Sequence, residues 1–70
     1  MNMNEILKEI VSNNIDAICT NNIAVSVLNL EVTLAGFVKN YDEKEKIEAI
    51  AWNTFGVNSV NNELAIESVL

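Results

Sequence analysis

The apolar residues of this 70-residue chain change period three times, and that limits the folds open to it. Near the N-terminus Ile6, Leu7, Ile10 and Val11 recur at helical spacing. From Ile23 the period falls to two: Ile23, Val25 and Val27 alternate with Ala24, Ser26 and Leu28. Val32, Leu34 and, past Gly36, Val38 repeat that alternation. Then Ile47, Ile50, Ala51 and Thr54 return to helical spacing, before Leu64 and Ile66 alternate with Ala65 and Glu67. Helical period places one stripe of a helix in a core, and a period of two places one face of a strand there. The order read from the pattern is α-β-β-α-β, an α+β fold.

Local signals set the boundaries. Asn2 followed by Glu5 resembles a capping box, so the first helix is expected over about Met3 to Asn13, with the pair Asn13-Asn14 as its stop. Ile15 and Ile18 offer an alternative end near Cys19. Asn29-Leu30 lies between the first two strands. Tight two-residue turns favour Asn-Gly, because both central residues take positive φ. A longer or bulged connection is therefore expected at Leu30. Gly36 inside a strand suggests a bulge or a close backbone approach. Asn40 or Asp42 can cap the second helix, and Gly56 suits the left-handed position that ends one. The asparagine pairs 13-14, 21-22 and 61-62 fall where turns are expected.

Seventy residues hold one core, so a single domain over residues 1–70 is expected, with its core at about residues 4–67. No run reaches the roughly 20 apolar residues of a membrane span, and residues 1–10 lack the basic-then-apolar pattern of a signal peptide. If Met1 is the native start, the cytoplasm is the expected compartment. Val69-Leu70 at the end suggests instead a domain cut from a longer chain, which would allow a periplasmic or envelope location.

Composition removes several functions. There is no histidine and one cysteine, Cys19, so the common nucleophile–base pairs and cysteine zinc sites are ruled out. Asp42, Glu43, Glu45 and Glu48 crowd one stretch, but they read as a solvated helix start interleaved with Lys44 and Lys46. No catalytic residue, metal ligand or cofactor is assigned, and the chain is expected not to be an enzyme. Four lysines against ten carboxylates give a net charge of −6. That charge argues against nucleic acid, whose phosphates need a basic surface.

Trp52 and Phe55 are the candidate interaction residues. With the inner stripe on Ile47, Ile50, Ala51 and Thr54, Trp52 points outward and Phe55 lies on the flank, three residues on. Exposed aromatics so placed suit a membrane or protein contact. The alternative is a rotated stripe in which Trp52 covers the core edge.

The strand residues also resemble a known family. Val25-x-Val27 leading to Val32-Thr33-Leu34-Ala35-Gly36-Phe37-Val38 is similar to the strand signature of the BON domain, named for bacterial osmotically inducible and nodulation proteins. Glu43-Lys44, Ile50-Ala51 and the ending Gly56-Val57-x-x-Val60-x-Asn62-x-Leu64-x-Ile66 continue the resemblance, which spans Asn4 to Glu67. One departure is Leu30, where the family usually carries glycine. The resemblance implies a three-stranded mixed sheet with two helices on one face and a right-handed crossover. It also implies a non-enzymatic binding module, docking at a phospholipid membrane, an envelope surface or a partner protein. A potassium-responsive domain and weak self-association through a strand edge stand as alternatives.

Overall fold

A computed structural model describes residues 2–19 and 22–67 of the chain. Five elements follow in order: α1 (Met3–Asp16), β1 (Ile23–Leu28), β2 (Glu31–Val38), α2 (Tyr41–Asn53) and β3 (Ser59–Ile66). The sheet order is β1-β2-β3, with β1 antiparallel and β3 parallel to the central β2. This is the α-β-β-α-β, α+β architecture expected from the alternation. Met1, Asn21, Val69 and Leu70, which entered the expectations above, lie outside the described residues.

The central strand explains the rest. On β2, Val32, Leu34 and Val38 are fully buried, while Glu31, Thr33, Ala35 and Phe37 point to the opposite face. α1 lies mainly against β1, and α2 against β3 and β2. Their buried residues are Leu7, Val11 and Ile15 from α1, and Ile47 and Ala51 from α2. Val25 and Leu64 close the core from the two edge strands, and Cys19 packs in it as a small apolar residue.

Several local expectations are corrected. α1 runs past Asn13-Asn14 to Asp16, because both asparagines sit on its exposed side, where Asn costs a helix little. Its inner stripe is Leu7, Val11 and Ile15 at a spacing of four, so Ile6 and Ile10 turn toward solvent. Asn40, not Asp42, caps α2: its Oδ1 accepts the Glu43 N–H at 2.8 Å. α2 ends at Asn53, where the Thr54 hydroxyl donates back to the Ile50 carbonyl at 2.9 Å. Gly56 does take a left-handed φ of 100°, but two residues beyond the Thr54 cap. Gly36 makes no bulge, since pairing continues through it on both sides. It is a close approach: with φ at 133°, a Cβ there would meet the Asn22 carbonyl oxygen at 3.0 Å.

Two larger differences concern asparagines. Asn61 and Asn62 stand inside β3, opposite Thr33 and Leu34, rather than in a turn. Parallel pairing with β2 supplies the backbone partners a turn would otherwise provide. The β1–β2 turn is also tight, with Leu28 opposite Glu31 and only Asn29 and Leu30 between. Both adopt left-handed φ, 52° and 62°. A leucine there is strained by about 1–2 kcal/mol. It is held by two long-range hydrogen bonds: its N–H donates to Asn4 Oδ1 at 2.9 Å, and its carbonyl accepts the Asn58 N–H at 2.8 Å.

Asn4→Ala would leave the Leu30 N–H without its partner in a half-buried site, and is expected to lower stability by about 1–2 kcal/mol in urea unfolding. Asn13→Ala, on the exposed side of α1, is expected to leave it unchanged or raise it by a few tenths of a kcal/mol. Equal effects of the two would contradict the role given to Asn4.

Candidate docking surface

With the inner stripes committed to the core, the helices keep apolar side chains on their outer sides. Trp52 is half exposed on α2, and Phe55 is 95% exposed in the turn after it. α2 ends before Phe55 is reached, so the two side chains line separate recesses that share Asn53.

The first recess, about 450 Å³, lies between the helices. Ile10 and Asn14 come from α1; Ile50, Asn53, Thr54 and Phe55 form the other wall. No charged side chain lines it. Ile6, one turn before Ile10 on the same helix side, is also exposed. The turn that presents Phe55 is well braced. Thr54 is tied to Ile50, Val57 N–H donates to the Thr54 carbonyl at 3.3 Å, and Gly56 backs onto Leu7.

The second recess, about 420 Å³, is of different character. Tyr41, Glu45, Glu48, Ala49 and Trp52 fall within about 100° on the helical wheel, with Glu48 at the edge nearest the buried Ala51. Glu48 is anchored from below: Asn62 reaches from the inner side of β3, and its Nδ2 donates to Glu48 Oε1 at 2.7 Å. The same Asn62 accepts the Leu64 N–H at 2.9 Å, which orients its amide. Glu45 accepts the Tyr41 hydroxyl, and that hydrogen bond and the carboxylate charge raise the phenol above its ordinary pKa. Asp42 pairs with Lys46 at 3.1 Å elsewhere on the helix.

The other motif residues are structural. Val32, Leu34, Val38 and Leu64 are core; Val57 and Val60 are packed against it; Gly36 and Gly56 hold left-handed φ values. Residues the sequence reading gave no part in a site are Ile10, taken as core, Tyr41, and Asn62, named only as a motif and turn residue. The wheel of α2 carried a signal for Tyr41. For Asn62 the signal was its place in the family-like ending, which does not point to its partner 14 residues away. Among the described residues there is no cluster of three or more His, Cys, Asp or Glu able to hold a metal ion, and no helix long and apolar enough to cross a membrane.

Tyr41 is the sole tyrosine, so its titration can be followed by phenolate absorbance. The midpoint is expected above that of free tyrosine, and Glu45→Gln should bring it back down. Because the folded pKa is raised, the bond's contribution is present below the ordinary phenol pKa and goes as pH rises through the folded one. A midpoint indifferent to Glu45→Gln would contradict the contact.

The family model of the BON domain matches residues 3–68, nearly the whole chain. No curated protein matches it. With the strand order, the two helices and the core signature residues all in their places, the chain belongs to the BON domain family.

Proposed function

We propose that this chain is a non-enzymatic docking module that seats on a phospholipid bilayer through the uncharged recess at Phe55. BON domains are binding rather than catalytic modules, known for phospholipid and membrane association, and that membership supports a membrane as the occupant. The observation that carries the reading is the Phe55 ring, 95% exposed on a braced turn beside Ile10. A rigid turn keeps the ring presented to solvent, so little ordering is needed when it inserts.

Electrostatics sets the kind of bilayer. Peripheral proteins gain about 1 kcal/mol for each Lys or Arg near an anionic surface. Here the patch has no cation and the chain carries −6, so anionic lipid repels it. Insertion of Phe55, helped by Ile10 and Ile6, contributes about 1.5–3 kcal/mol for the ring. Docking is therefore weak, favours neutral headgroups, and gains from moderate salt on anionic vesicles as repulsion is screened.

Vesicle co-sedimentation tests this. Binding should be stronger to phosphatidylcholine than to phosphatidylglycerol vesicles at low salt. Phe55→Ala should cut partition by about tenfold or more, whereas Phe37→Ala, on the other side of the molecule, should not. Phe55→Ala binding as well as the parent chain would remove the proposal.

A further inference from the structure

The second recess, not used by membrane docking, has a chemistry of its own. Two aromatic faces, Trp52 at 50% exposure and Tyr41 at 62%, flank two carboxylates, Glu45 and Glu48. None of the four lysines lines it. Glu48 is already held in place by Asn62 on the side away from solvent, so its second oxygen meets a ligand without having to be ordered first. Aromatic faces attract cations, and carboxylates beside them add directed hydrogen bonds.

We propose that this groove binds an arginine-bearing segment of a partner protein, in extended conformation, with two arginines separated by one residue. Trp52 lies four residues after Glu48, so the two side chains share one side of the helix and line the same recess. A guanidinium stacked on the Trp52 ring can fork onto Glu48. Glu45 stands three residues earlier, about 4.5 Å along the helix axis. Side chains two apart on an extended strand are about 6.6 Å apart, close enough for flexible arginine side chains to serve both carboxylates. Arginine fits better than lysine because its planar group stacks and forks at once. The excess of negative charge on the chain, −6, complements a basic partner and speeds its approach. This inference is independent of the Phe55 reading, since the residues that carry it line a different recess.

The test titrates acetyl-Gly-Arg-Gly-Arg-Gly-amide into the full chain, following the emission of Trp52, its sole tryptophan, and backbone amide shifts. Saturable change at Trp52 with shifts confined to α2 and the Asn62 region is expected. Glu48→Gln keeps an acceptor for Asn62 and should weaken binding roughly fivefold or more. Glu9→Gln makes the same charge change on α1 and should stay within about twofold. The lysine peptide should bind more weakly, and Phe55→Ala should leave peptide affinity unchanged. Equal weakening by Glu48→Gln and Glu9→Gln would reduce the effect to bulk charge attraction and overturn the proposal. So would a flat Trp52 signal at millimolar peptide, or an equal response to phosphocholine, which would assign the groove to a lipid headgroup.

Discussion

One buried row holds this molecule together: Val32, Leu34 and Val38 on the inner side of the central strand. Both edge strands pair with β2, and both helices come to rest on the face that row defines. A domain this small cannot give each element its own core. Leu7, Val11 and Ile15 of α1 must share that face with Ile47 and Ala51 of α2. The close backbone approach at Gly36 belongs to the same constraint, because a side chain there would push β1 away from the row.

What the row cannot accommodate is left outside. Ile6, Ile10 and Trp52 are left on the outer helix surfaces, and Phe55 on the turn after α2, once the two inner stripes are filled. The charge is distributed unevenly over that surface. Around Phe55 the lining is apolar or neutral; around Trp52 it includes two carboxylates and a tyrosine. One side of a small domain thus offers two recesses of different chemistry within a turn of one helix, joined at Asn53. The far side of the sheet presents mainly small and polar residues, with Phe37 near one end and the exposed Leu28 near the other.

Much of this was legible in the order of residues. The period changes, the Asn2 and Asn40 caps and the alternation on β2 specify five elements and their faces, because each signal is local. Several of the misread places depend on distant partners. Leu30 is a poor turn residue by itself, and the tight hairpin exists because Asn4 and Asn58 hold it. Asn61 and Asn62 read as a turn until a parallel strand lies beside them. At the candidate surface, the outward setting of Trp52 followed from the wheel. The separation of Phe55 from it depended on α2 ending at Asn53, where a threonine hydroxyl closes the last turn. The anchoring of Glu48 by Asn62 had no local signal at all.

The central claim is that the helix side, not the open sheet face, meets a bilayer. Paramagnetic broadening of backbone amides by spin-labelled lipid, with the chain on phosphatidylcholine nanodiscs, tests it most directly. The account predicts broadening centred on Phe55 and on Ile6 and Ile10 of α1, with Thr33, Phe37 and Asn61 untouched. Broadening centred on Thr33, Phe37 and Asn61, with Phe55 spared, would contradict it.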